Sequence, residues 1–109
     1  MNIMLSQNGA GIIDWAFTTL GDPCADVAGT YMITKLLAAA SGGHNAFERL
    51  LFNIFTPTFA NIYLTEYLKL SCRSREEIFR RIPIRAATYV DLGLPEQANK
   101  KLYEIAKKI

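Results

Sequence analysis

Asn2-Ile3-Met4-Leu5-Ser6-Gln7-Asn8-Gly9-Ala10-Gly11-Ile12-Ile13-Asp14-Trp15 stands at the start of the chain and is its most informative stretch. Two short apolar runs, Ile3-Met4-Leu5 and Gly11-Ile12-Ile13, flank Gln7-Asn8-Gly9-Ala10. Asn-Gly offers the positive φ angles that a tight type I′ turn requires, so the stretch predicts an antiparallel hairpin. A hairpin brings the residue before its first strand and the residue after its second to one open end. Here these are Asn2 and Asp14, an amide carbonyl and a carboxylate. Centring the turn on Asn8-Gly9 sets Asn2 opposite Trp15 and Asp14 opposite Ile3, whereas a one-residue slip sets Asn2 directly opposite Asp14. The faces stay open; the proximity does not. A few hard oxygen donors close together are what Mg²⁺ takes from a protein when phosphate oxygens and waters complete its octahedron.

Beyond the hairpin the pattern turns helical. Asp22-Pro23 is a helix start: Asp22 can cap the free amides and Pro23 occupies the first turn, where a missing N–H costs nothing. That helix is expected to run to Ala40 and stop at Ser41-Gly42-Gly43. A second begins near Asn45 with Phe47, Leu50, Leu51, Ile54 and Phe55 on one apolar face, and Pro57 interrupts it. Thr56-Pro57 restarts a helix with Phe59, Ile62, Tyr63, Tyr67 and Leu70 inward and Asn61, Thr65 and Lys69 outward. Ser74-Arg75-Glu76-Glu77 has the form of a capping box. Pro83 is expected to break or kink the helix after it, Gly93 closes that segment, and Pro95 opens a last helix. Ala98, Leu102, Ile105, Ala106 and Ile109 there oppose Lys100, Lys101, Lys107 and Lys108, and the terminal lysines suit the negative end of the helix dipole. The expected architecture is mainly α: a short N-terminal β-hairpin over residues 1–15, then a helical bundle over 22–109, in a single domain.

Composition bounds the alternatives. At 109 residues, half of them apolar and 20% charged, the chain is neither disordered nor of low complexity. A net charge of +2 gives no whole-molecule field for nucleic acid. The segment after Ser71 has nine basic residues against five acidic, among them Arg73, Arg75, Arg80, Arg81 and Arg85. Glu76 and Glu77 interleave with these, so a solvated face is expected rather than a nucleic-acid surface. No segment reads as a membrane span, since Asp26 and Lys35 interrupt one apolar stretch and Arg49, Pro57 and Glu66 the next. Met1 to Leu5 lack the basic region of a secretory signal. Cys24 and Cys72, 48 residues apart with no C-x-x-C, read as reduced, buried thiols of a cytoplasmic protein. His44, the single histidine, reads as a loop residue, and Tyr63, Tyr67 and Phe59 as core rather than as a substrate pocket.

Asn2-Ile3-Met4-Leu5, then Gly11-Ile12-Ile13-Asp14-Trp15, then Gly21-Asp22-Pro23-Cys24-Ala25-Asp26-Val27-Ala28 together resemble a known family. In order and spacing they are similar to the catalytic-loop-to-metal-loop stretch of aminoglycoside phosphotransferases and related choline-kinase-like small-molecule kinases. That stretch reads H-x-D-x-x-x-x-N, then a hairpin ending in I-D-W or I-D-F, then G-D-P-x-x-D-L-A. Three linked motifs are far more specific than one. The likeness is strong over about the first 30 residues and carries no motif in the helical remainder, which is compatible with a protein-kinase-like C-terminal lobe.

The resemblance implies that Asn2 and Asp14 hold Mg²⁺ bridging ATP phosphates, that Asp26 is a buried carboxylate bracing the catalytic loop, and that Asp22 supports the site as a helix cap. Trp15 stands where protein kinases have phenylalanine. It also implies a hydroxyl on a small polar molecule as acceptor. The family's catalytic aspartate sits five residues before the asparagine, so the base is expected upstream of Met1, together with the nucleotide lobe, and no catalytic residue falls within this chain. On that reading the chain alone is inactive. The other reading is a truncated pseudoenzyme or helical interaction module without catalysis. A lobe lacking its cover is expected to expose apolar surface and self-associate.

Overall fold

The computed structural model describes residues 3–14, 20–40, 45–90 and 93–108. Asn2, Trp15, the expected helix stop at Ser41-Gly42-Gly43, His44 and Ile109 lie outside the described residues. The chain is mainly helical, as expected: strands β1 (Ile3–Ser6) and β2 (Gly9–Ile12) precede helices α1 (Pro23–Ala40), α2 (Ala46–Leu70), α3 (Arg75–Phe79), α4 (Ile82–Tyr89) and α5 (Glu96–Ala106).

The hairpin forms, with its turn one residue earlier than expected. Ile3 pairs with Ile12 and Ser6 with Gly9, which leaves Gln7-Asn8 as the loop. Of these turn residues only Gly9 has a positive φ, at 124°, so the turn is not type I′. The reason is local. The Ser6 hydroxyl accepts the Asn8 N–H at 3.2 Å and donates to the Gly9 carbonyl at 3.2 Å, and glycine, lacking Cβ, takes the left-handed backbone.

Helix α1 starts where Asp22-Pro23 predicts, with the Asp22 carboxylate accepting the Cys24 N–H at 2.9 Å. Helix α2 is capped by Asn45, whose side chain accepts the Glu48 N–H at 2.8 Å. Contrary to expectation, α2 runs unbroken through Pro57. Pro57 cannot donate to the carbonyl one turn back, but the flanking hydroxyls bond to the helix wall: Thr56 to the Phe52 carbonyl and Thr58 to the Ile54 carbonyl at 2.8 Å. The Ser74 box is complete, the Glu77 N–H donating to Ser74 Oγ at 3.2 Å and the Ser74 N–H to Glu77 Oε2 at 2.7 Å. As expected, the helix opened by Ser74 is interrupted before Pro83: α3 ends at Phe79, and Pro83 stands in the first turn of α4, where its missing N–H costs nothing. Gly93, at φ 73°, lies in the α4–α5 connection.

Helix α1 joins two cores. Cys24, Val27, Ala28 and Tyr31 meet Ala60 and Leu64 of α2 and Ile78 of α3, while Met32 and Leu36, further along α1, meet Ala86 of α4 and Leu102 of α5. The inward face of α2 therefore differs from the one expected. Leu64 and Ala60 are buried and Tyr63 and Tyr67 half-buried, but Phe59, Ile62 and Leu70 are exposed. Two small residues, Ala28 and Ala60, stand in this contact, where short side chains allow helix axes to approach. Cys24 is buried as expected, whereas Cys72 is exposed, because it falls in the short link between α2 and α3 rather than on a packed helix face.

The radius of gyration, 14.9 Å, exceeds the roughly 13 Å typical of a compact chain this long. Side chains in the first half of α2 find little cover. Phe47, Leu50, Ile54 and Phe55 are exposed there. Leu64→Ala is expected to cost about 2–5 kcal/mol in urea unfolding and Phe59→Ala less than about 1 kcal/mol; equal losses would place the wrong face of α2 against α1.

Candidate functional site

Asp14 stands two residues past Ile12, the last paired residue of β2. Its φ of 65° makes it the one non-glycine residue with left-handed backbone among the described residues. Aspartate tolerates that region better than most residues, because its short polar side chain interacts locally. The chain leaves the strand direction there, and the residue is exposed at the hairpin's open end. Asn2, the other expected donor, lies outside the described residues. No group of three or more His, Cys, Asp and Glu able to hold a metal occurs among the described residues. Asp14 thus offers a single hard oxygen donor, which suits an ion such as Mg²⁺ that keeps waters and phosphate oxygens in most of its positions.

At the start of α1, two carboxylates each meet an arginine of the α3–α4 region. Asp22 Oδ2 accepts from Arg81 Nε at 2.6 Å, and Asp26 Oδ1 lies 3.5 Å from an Arg85 guanidinium nitrogen. Both carboxylates and both arginines are four residues apart, so the pairs form two rungs between one face of α1 and one face of α4. Arg85 also donates to the Tyr89 hydroxyl at 3.3 Å and lies over its ring. A methyl group at Gly29 would come within 3.0 Å of Arg85 Nε, so the absent side chain of α1 makes room for this arginine.

Asp22 keeps its expected role as a cap and gains a partner. Asp26 differs from the expectation of a buried brace: its side chain is 75% exposed and reaches Arg85. The helical period explains this, because Cys24, Val27, Ala28 and Tyr31 take the core face of α1 and leave Asp26 beside it. Arg81 and Arg85, read from the sequence as part of a solvated face, are in part structural. The matching four-residue spacing in the two segments was the available signal, but nothing local says which carboxylate meets which arginine 59 residues away.

The hydrogen bond from Arg81, followed by that from the Cys24 amide, holds the Asp22 carboxyl below the usual carboxylate range. Burial pushes the neighbouring Cys24 thiol up. A depressed folded-state pKa means that the stabilisation is complete above the unfolded carboxylate value of about 3.9 and is lost as pH falls through the lower folded value. Asp22→Asn should therefore lower the melting temperature at pH 7 and flatten its fall between about pH 5 and pH 2. The remaining slope is expected from Glu77, likewise lowered by the Ser74 amide. Identical slopes in the two proteins would mean that Asp22 and Arg81 do not pair in solution.

Compared with known proteins, the chain matches the model of the phosphotransferase enzyme family over residues 1–78. That match takes in the hairpin, Asp14, the Gly21-Asp22-Pro23 segment, α1, α2 and most of α3. No curated protein and no solved structure matches the chain significantly. With more than two thirds of its length covered, and the hairpin and the start of α1 both inside the match, the chain belongs to the phosphotransferase enzyme family.

Proposed function

We propose that this chain is the C-terminal portion of an ATP- and Mg²⁺-dependent phosphotransferase that acts on a hydroxyl of a small polar molecule, with residues 1–109 as one domain. Asn2 and Asp14 are its metal donors, and Asp22 and Asp26 hold the start of α1. One observation carries this reading: the family match includes the hairpin at whose open end Asp14 stands, exposed and turned out of the strand by its left-handed backbone. Asn2 is covalently next to Ile3, whose partner Ile12 is two residues from Asp14, so short chain links limit how far apart the two donors can be.

Magnesium, when bound, would neutralise charge on the transferring phosphoryl group and orient it. The carboxylate of Asp14 would supply that ion with a negatively charged oxygen donor, and the amide of Asn2 a neutral one. The acceptor's base is not assigned to any residue of this chain. Free thiols at Cys24 and Cys72 fit a reducing, cytoplasmic setting. The non-catalytic alternative, an interaction module, is favoured by a different observation, the exposed apolar residues along α2.

The test starts from the DNA upstream of the Met1 codon, which on this reading encodes H-x-D and a nucleotide lobe, in frame or by frameshift. Joined to that stretch, the chain is expected to phosphorylate hydroxyl acceptors with Mg-ATP. Asp14→Ala should then lower the rate by more than about 100-fold, beyond what loss of an outer-shell partner of a metal costs. Full activity in the Asp14→Ala protein would remove the metal assignment. Absence of any such upstream stretch would favour the interaction module.

A further inference from the structure

Four phenylalanines, Phe47, Phe52, Phe55 and Phe59, and three aliphatic residues, Leu50, Ile54 and Ile62, stand exposed on one helix, each between 45% and 67% accessible. A helix apolar around most of its circumference is ordinarily a buried one. Phenylalanine buries about 150–250 Å² when covered, so these half-exposed side chains present on the order of 600–700 Å² of apolar surface. Only Phe52, Phe55, Phe59 and Ile62 share one face, Phe47, Leu50 and Ile54 lying about 100–160° around the helix, so the part that one partner can cover is on the order of 400 Å², within the roughly 300–600 Å² of a typical monomer's largest patch, which is often functional. The surface belongs to α2, apart from the hairpin site, and it stands whether or not the phosphotransferase reading does.

The charges at its two ends select the occupant. Along the face of α2 that carries Leu51, Phe55 and Ile62, Glu48 lies at the N-terminal end, and Glu66 and Lys69 lie at the C-terminal end, with Lys69 outermost. The stretch from Ala46 to Ile62 holds only two charged residues, Glu48 and Arg49, so the centre of the stripe is uncharged. An antiparallel second copy reverses the order of the ends. In the register that sets Phe55 against Ile62 of the other copy, with the dyad at Thr58 and Phe59, Glu48 falls opposite Lys69, and symmetry makes the pair twice. A parallel pairing would set like charge against like. Lys69 is exposed and now bridges Glu66 at 2.7 Å, a surface pair that is easily shared with an incoming carboxylate. We infer that the exposed face of α2 is a homodimer interface, formed by two copies of this chain packed antiparallel across Phe55 and Ile62 with Glu48 facing Lys69.

The test is the oligomeric state of the whole chain, read by light scattering and sedimentation near 100 µM. The expected mass is twice the 12.2 kDa of one chain. Phe55→Asp is expected to give monomer with unchanged helical circular dichroism, since its side chain is largely exposed. Glu48→Lys and Lys69→Glu should each weaken the dimer about five- to tenfold, because each change places like charges at two symmetric positions. The double variant should recover most of the affinity, which a merely structural effect on either helix end would not allow. A monomer at 100 µM would overturn the inference, as would masses growing beyond the dimer, or a double variant no tighter than the singles. So would a monomer that instead floats with phosphatidylcholine–phosphatidylglycerol vesicles, which would assign the face to a membrane surface.

Discussion

Helix α1 is the post around which the other helices stand, and its rotation about its own axis organises them. Its first half meets α2 and α3 through Cys24, Val27, Ala28 and Tyr31, and its second half meets α4 and α5 through Met32 and Leu36. Successive turns of one helix thus serve two cores, so turning α1 by a single residue would expose both. Where it begins and which way it faces are set together at its N-terminus. Asp22 accepts the Cys24 amide, the proline fixes the next backbone angle, and Arg81 holds the same carboxylate from the start of α4. The local cap and the long-range ion pair share one side chain.

That arrangement joins the fold to the candidate site. None of the described hairpin residues belongs to either helical core, and both strands are exposed along their length. Asp14 stands eight residues before Asp22 in the sequence, and that short separation links the candidate site to the start of α1. The two rungs, Asp22 with Arg81 and Asp26 with Arg85, connect that N-terminus to α4 through exposed or half-exposed groups, where solvent screening weakens each pair. They orient the helices more than they stabilise them. The apolar contacts at Leu64, Ile78 and Leu102, all fully buried, supply the larger share of the stability.

The apolar half of α2 shows how patterning can be read correctly and placed wrongly. Apolar residues at helical spacing do identify the helix, and Phe59 and Ile62 do lie on an apolar face. In this chain that face is not the one that meets α1, because Ala60 and Leu64 fit against Ala28 and Tyr31 and a helix cannot turn two faces to one neighbour. Pro57 misleads in the same way. It removes one hydrogen bond, but a helix held by tertiary contacts on its C-terminal half and by two threonine hydroxyls around the proline survives the loss.

Legible in the residues alone was whatever acts over a few positions: the hairpin, the start of α1 at Pro23, the Asn45 start of α2 and the Ser74 box. So was the ordered stretch from the hairpin through Gly21-Asp22-Pro23 on which the family likeness rests. These features depend on hydrogen bonds and backbone angles spanning three or four positions, so the residues that cause them are adjacent in the chain. The turn's register, the buried side of α2, the exposure of Cys72 and Asp26, and the choice of Arg81 and Arg85 as partners emerged only with the folded chain. Most of these are settled by groups that meet after the chain has folded back on itself, about 30 to 60 residues apart in several cases, where many pairings have similar local chemistry and packing selects among them.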